Sequence, residues 1–302
     1  MSIDKPHRIT RAPNKRPGRP FYLTERDGRI LSYIWLWKIA STASIHEAVC
    51  RPGSSYATYK VLDKLEKNRF VECRFDYREH FHVWQLTEQG FEAMKSELGE
   101  LKEDGFLSEN HRHDRLVQAF QLGEWSTLQI QKAFFFTEQQ LRRMSVEDYP
   151  DWVPRSTEHR ADGYSRIIGV ERPWNFAYEV ELSAKNVQKY EGVLRFYKSA
   201  RGVDQVLWLI GEPFISDQIL RAKTCIRDDT SNYHVFVNKD DFTKNGWDAV
   251  ITNERSQTLG TMREKYQGLC GVFYRDMMGI SRGNSKVTVH LDSRKVLGKS
   301  KT

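Results

Sequence analysis

The segment Asn175-Phe176-Ala177-Tyr178-Glu179-Val180-Glu181-Leu182 sets the architecture. Its side chains alternate with the period of a β-strand. That period places Glu179 and Glu181 on one face and turns Tyr178, Val180 and Leu182 to the other. Two carboxylates so placed repel each other unless a cation lies between them. Upstream, Arg160-Ala161-Asp162-Gly163 leads into a short strand over residues 164–170, with a turn around Arg172-Pro173 before the acidic strand. Asp162 then supplies a third oxygen donor, and three such carboxylates suit a divalent ion, Mg2+ or Mn2+. Lys185 follows at the start of a helix, close enough to reach the same pocket.

Working outward, residues 207–210 read as a buried strand, residues 216–227 as a helix, and residues 233–238 and 249–252 as short strands. On the other side, His113-Asp114-x-x-Val117 opens an apolar helix, after which a strand is expected over 129–136 and a helix over 138–144. Pro150 and Pro154 close that region. The expectation is a mixed sheet flanked by helices over residues 111–280, an α/β chain that is α+β overall.

Residues 23–98 carry a different pattern. Thr24 with Asp27 marks a helix start, and Ile30, Leu31, Ile34 and Trp35 form an apolar stripe at helical spacing. Thr42 or Ser44 caps a second short helix through Val49, and Arg51-Pro52-Gly53 breaks it. Ser54 or Ser55 starts a third, with Tyr59, Leu62, Leu65 and Glu66 before Asn68. Residues 70–75 and 80–86 form a hairpin, and Leu86-Thr87-x-x-Gly90 opens another helix to about Leu98. Order and spacing resemble a winged helix-turn-helix. That resemblance implies a third helix in the DNA major groove and a wing on the backbone. Tyr56, Thr58, Tyr59, Lys60 and Lys64 would be its contact residues, with Arg74 and Arg78 on the wing. A winged helix that binds protein instead of DNA is the alternative. The charged stretch 99–110 reads as a linker.

The 302 residues suffice for two domains with their own cores, and 39% hydrophobic with 12% aromatic residues excludes a disordered chain. The net charge of +7 is uneven: residues 1–20 and residues 281–302 each carry +5, leaving the middle at −3. Two basic arms on a near-neutral body suit phosphate-rich partners. Residues 1–22 read as a disordered arm and 281–302 as a basic tail. Within the first arm, Lys15-Arg16-Pro17-Gly18-Arg19-Pro20 resembles an AT-hook, which implies Arg16 and Arg19 in a narrow minor groove. Cys50, Cys73, Cys225 and Cys270 lie far apart with no Cys-x-x-Cys pair, which argues against a zinc site or disulfide framework and for a reducing cytoplasm. No apolar run reaches the eighteen residues of a membrane span, and no secretory signal pattern opens the chain.

Asp162, Glu179 and Lys185 together resemble the PD-(D/E)XK nuclease superfamily, which implies a restriction-endonuclease-like core. Asp162 and Glu179 take its two acidic positions. Glu181 stands at the strand position where lysine is usual, with Lys185 supplying the ammonium from beyond it, and Ala161 replaces the usual proline. A narrower resemblance covers residues 23–210. The winged helix, the His-Asp-x-x-Val helix, the Ala-Asp strand and the string Glu179-Val-Glu181-Leu-Ser-Ala-Lys185-Asn-Val-Gln-Lys189-Tyr190 look like the MobC-type conjugative relaxases of the replication–relaxation family. That implies a Mg2+- or Mn2+-dependent endonuclease nicking double-stranded DNA at an origin of transfer. A coupling ATPase and an accessory DNA-binding protein would be its partners. Lys185, Lys189 and Tyr190 would share one helical face that grips the phosphate beside the break.

Three other readings compete. His80-Phe81-His82 has the His-hydrophobe-His pattern of tyrosine-dependent relaxases, but it sits in the wing with no large sheet before it. A non-catalytic DNA-binding regulator of plasmid replication or transfer would keep the reader and use the acidic cluster structurally. A defence or repair endonuclease would cut both strands.

Overall fold

The computed structural model describes residues 21–76, 81–122, 133–169, 171–230 and 233–270. Helix α1 (Glu25–Trp37) opens on a capping box: the Thr24 hydroxyl accepts the Asp27 N–H and the Asp27 carboxylate accepts the Thr24 N–H. Helix α2 (Thr42–Ile45) runs into a π-helical turn (His46–Cys50), and α3 (Ser55–Lys67) starts at the Ser54 cap. Strands β1 (Val71–Asp76) and β2 (Phe81–Leu86) pair antiparallel from Val71 opposite Leu86 to Asp76 opposite Phe81. Ala40 adds a single bridge to Trp84. Helix α4 (Glu88–Lys95) starts at Thr87. A Cβ at Gly90 would lie 1.8 Å from the Phe70 carbonyl oxygen, so only glycine lets this helix rest on the strand connection.

The second half is the expected mixed sheet flanked by helices. Helix α5 (His111–Leu122) precedes strand β3 (Ala133–Thr137), helix α6 (Glu138–Arg143), strands β4 (Gly163–Ile168) and β5 (Pro173–Glu181), and helix α7 (Val187–Ser199). Strand β6 (Gln205–Ile210), helix α8 (Pro213–Cys225), strand β7 (His234–Asn238), helix α9 (Lys239–Asn245), strands β8 (Val250–Thr252) and β9 (Thr258–Thr261), and helix α10 (Met262–Cys270) follow. The seven strands lie in chain order, β3 to β9. Strands β5, β6 and β7 are parallel neighbours joined through α7 and α8, and the remaining pairs are antiparallel.

Strand alternation sorts the core into two layers. Phe176, Tyr178, Val180, Leu207, Leu209, Val235 and Val237 face Phe120 of α5, Phe242 of α9 and Tyr266 of α10, in a cluster continuous with the core of α1–α4. Ala177, Val206, Trp208, Ile210 and Phe236 face Tyr190, Leu194 and Tyr197 of α7 and Ile215 and Ile219 of α8. Glu179 and Glu181 belong to this second face. The strand expected over 129–136 occupies Ala133–Thr137, and 129–132 lie outside the described residues. Residues 99–110, read as a linker, make contacts of their own: the Gly105 carbonyl accepts Trp35 Nε1–H and Gln139 Nε2–H, and Phe106 stacks on Phe91.

Candidate active site

Asp162 lies one residue before β4. Its backbone N–H donates to the Tyr178 carbonyl at 3.0 Å and its Oδ2 accepts the Val180 N–H at 2.6 Å. The side chain therefore extends the β4–β5 ladder by one step and brackets Glu179 from both sides. Glu179 and Glu181 are each 4% exposed, near the end of β5 where α7 begins. Burying such charges is costly unless donors satisfy them. Glu179 Oε1 accepts from His159 Nε2 at 2.7 Å and from the Tyr197 hydroxyl. Glu181 Oε1 pairs with the Lys185 ammonium.

The three carboxylates act on one another. Burial pushes Glu181 up to about 7; Lys185 pulls it down, and Glu179 and Asp162 add to the rise. Burial disfavours the charge of Lys185, yet the pull of Glu181, Glu179 and Asp162 leaves its pKa above the ordinary lysine value. His159 follows the same pattern: burial opposes its charge, and Glu179 with Asp162 outweighs it. The Tyr197 phenol is driven well above its ordinary range by burial and then by Glu179, so it acts as a donor.

Two expectations at this site need correction. Lys185 does not begin the helix: α7 starts at Val187 behind the Asn186 cap, whose side chain accepts the Lys189 N–H at 2.9 Å. Lys185 and Lys189 thus share no helical face, although both are exposed. Tyr190 does not stand beside Lys189 toward solvent. It is fully buried, in line with Leu194 and Tyr197, and its hydroxyl accepts the Lys185 N–H at 3.1 Å. Its place is under the loop that carries Lys185.

Sequence reasoning missed His159 and the contact that Tyr197 makes with Glu179. The only sequence signal for His159 is its place three residues before Asp162. His113, on the first turn of α5, reaches this cluster too: its Nε2 lies 3.5 Å from Asp162 Oδ2 and its Nδ1 3.6 Å from Asp114 Oδ1.

In chemistry the donor set suits a hard divalent ion: three carboxylates with one oxygen each held by a neighbour, two of them buried against their own repulsion. In placement it is not assembled for one. Among the described residues no group of three or more His, Cys, Asp or Glu side chains is positioned to hold a metal ion. Lys185 pairs with Glu181 Oε1 and His159 with Glu179 Oε1.

The expected DNA-contact residues fall into two sets. Tyr56 and Tyr59 are exposed on α3 (65% and 46%), with the Lys60 ammonium 5.1 Å over the Tyr56 ring. Lys64 is half-exposed, 3.9 Å from the buried Asp27 carboxylate and over the Phe21 ring, so its charge is partly engaged; Thr58 is buried against His46. Arg74 pairs with Glu72 at 2.8 Å. Arg16, Arg19, Arg78 and His80 lie outside the described residues. Cys50, Cys73 and Cys225 are free thiols. No helix among the described residues is long and apolar enough to cross a membrane.

No family model matches the sequence, and no curated protein is significantly similar to it. Among solved structures the chain is similar to the restriction endonuclease FokI at 12% identity and a TM-score of 0.24. That alignment covers 80% of this chain and 47% of the other, so the chain spans about half of that protein's length. A TM-score this low carries no inference about activity.

Proposed function

We propose that the chain is a metal-dependent DNA endonuclease in which a winged-helix unit, residues 23–98, delivers DNA to the carboxylate cluster of a restriction-endonuclease-like core, residues 111–280. The observation that carries this reading is the buried pair Glu179 and Glu181 on one strand face, beside Asp162 and an exposed lysine. The exposed aromatics and lysine of α3 and the antiparallel hairpin after it support the reader. The resemblance to MobC-type relaxases refines the proposal to a site- and strand-specific nick at an origin of transfer, with a coupling ATPase and an accessory DNA-binding protein as partners.

To hold Mg2+ or Mn2+, Asp162, Glu179 and Glu181 would have to converge, with Lys185 and His159 giving way; a bound ion would supply Lewis-acid stabilisation of the charge that builds on the phosphate. The chain's own residues supply the rest. Lys185 is the exposed cation nearest the carboxylates and can leave Glu181 for a phosphate oxygen, where its ammonium offsets developing charge. His159 and Tyr197 fix Glu179 from behind through charge-assisted bonds, and Tyr190 fixes the loop bearing Lys185. Lys189, exposed at the first turn of α7, adds positive charge along the approach.

A second reading is favoured by one observation: every carboxylate of the cluster already has an internal partner. In that case the protein is a non-catalytic winged-helix regulator and the cluster is scaffolding. Purified protein with supercoiled plasmid carrying its own origin and Mg2+ or Mn2+ separates the two. Nicking that Glu181→Gln and Lys185→Ala abolish, with DNA binding retained, supports the nuclease. Binding without strand scission by the wild type supports the regulator, and linear product in place of open circles would replace the relaxase refinement with a double-strand endonuclease.

A further inference from the structure

Helix α1 is capped by Lys38, whose backbone takes φ 63° and ψ −37°, a positive φ that L side chains rarely adopt. A lysine at such a position is explained by its ammonium. Lys38 is 6% exposed and reaches out of the N-terminal unit into the sheet domain. Its Nζ lies 2.6 Å from Asp114 Oδ1 and 2.6 Å from Glu138 Oε2, acidic residues on the first turns of α5 and α6. Asp114 Oδ1 also faces His113 Nδ1 at 3.6 Å, and His113 Nε2 faces Asp162 Oδ2 at 3.5 Å. Both separations are those of ion pairs, longer than a hydrogen bond. Charges therefore alternate along one line: Glu138, Lys38, Asp114, His113, Asp162.

Two further contacts make the line mechanically stiff. Gln118 Nε2 donates to the Tyr33 hydroxyl of α1 at 3.3 Å, so α5 is tied to the N-terminal unit along its length. Farther along α5, Gln121 Nε2 donates to the Tyr164 carbonyl at 2.6 Å, and a Cβ at Gly163 would meet the Gln121 carboxamide at 2.1 Å. Helix α5 thus lies flush against the residue that follows Asp162, and a shift of α5 is felt there.

We propose that the N-terminal unit sets the alignment of Asp162: Lys38, through Asp114 and His113, holds that carboxylate in place, so that seating of the reader and geometry of the candidate active site are coupled. Lys38, Asp114 and His113 are positioning residues in this scheme. The coupling rests on the nuclease reading for its consequence in catalysis, but its geometry can be tested without any cleavage.

In the full chain labelled with 15N-histidine, the imidazole signals of His113 are assigned by their loss in His113→Gln. Lys38→Met is expected to move the remaining His113 signals, as is Asp162→Asn, while Lys38→Arg returns them close to wild type. Lys38→Gln, milder in shape, carries the test if Lys38→Met does not fold. Unchanged His113 signals in the folded Lys38 variant overturn the coupling, whether or not the protein cuts DNA. A wild type that cuts no DNA while its His113 signals respond as expected removes the nuclease reading and leaves the coupling. With a cleaving wild type, Lys38→Met is expected to lower the rate at saturating DNA about ten- to a hundredfold with the half-saturating DNA concentration unchanged. A loss confined to DNA affinity overturns the coupling, since Lys38 would then serve only the reader.

Discussion

Replacing Glu181 with glutamine removes the most strongly perturbed carboxylate of the cluster, and its effect on stability follows from its surroundings. Glu181 is 4% exposed, and burial first, then Glu179 and Asp162, push its pKa from the ordinary 4.5 to about 7 against the pull of Lys185. The folded chain therefore binds this proton more tightly than the unfolded chain does. Whatever stability the group contributes is complete below pH 4.5 and is lost as pH rises through the folded value near 7. A gap of about two and a half units corresponds to roughly 3 kcal/mol. Glutamine has no proton to lose, so Glu181→Gln escapes the decline. Urea unfolding of both proteins in EDTA, at steps from pH 4.5 to 9, gives the difference directly. The variant should gain roughly 3 kcal/mol on the wild type between the acid end and pH 8, then hold level. His113, with its pKa pushed up to about 10, adds a decline from about pH 6.5 upward in both proteins, which cancels in the difference. On the proposed metal-dependent reading, added Mg2+ at pH 8 should stabilise the wild type more than the variant, because the ion would bind the folded state through this carboxylate. A difference that stays flat with pH, or a variant that weakens as pH rises, would refute the account of a charge buried against its neighbours.

Three further outcomes are expected. Tyr197→Phe takes one donor from the buried Glu179 carboxylate and should cost about 1–3 kcal/mol in urea unfolding. Gly90→Ala drives a Cβ to within 1.8 Å of the Phe70 carbonyl oxygen, backbone that cannot swing aside. Thermal unfolding should show a loss of at least about 1–3 kcal/mol, and a melting point equal to wild type would mean that α4 does not lie on that carbonyl. Lys60→Ala, on the exposed face of α3, should leave the melting point close to that of wild type and reduce the slope of log affinity against log salt for double-stranded DNA by about one; an unchanged slope removes α3 from the proposed DNA interface.

Much of the fold was open to a reading of single segments, because the signals are local. Alternation along residues 175–182 gave both the strand and the face of its carboxylates, and Thr24, Ser54 and Thr87 cap the helices whose starts they mark. Tyr190 was misplaced through incomplete use of the same logic: Tyr190, Leu194 and Tyr197 recur at helical spacing and form the buried stripe of α7, which Lys189 alone did not reveal. Lys185 was misplaced because Asn186 is the better cap, its carboxamide binding the N–H three residues on. Lys38 had no local signal at all, and His159 had only its place three residues before Asp162. His159 sits in an irregular segment and meets Glu179 across 20 residues, and Lys38 meets Glu138 across 100, so only the folded chain brings these charges together.

The cost of the cluster is itself an argument about its purpose. The sheet face around Glu179 and Glu181 is otherwise built from Tyr164, Trp208, Ile210 and Phe236, all 5% exposed or less. A strand that only had to pack there would be served as well by apolar side chains, since well-packed hydrophobic residues commonly match or exceed a buried ion pair in stability. Here the chain keeps two carboxylates under the sheet's helices, recruits His159, Tyr197 and Lys185 to make them tolerable, and still leaves Glu181 reluctant to ionise. Perturbed acids of this kind gather at functional sites. A lysine that completes the cluster while remaining accessible to solvent is what separates a site able to meet a phosphate from an internal brace, and it makes Lys185→Ala the substitution on which the catalytic and the structural readings part.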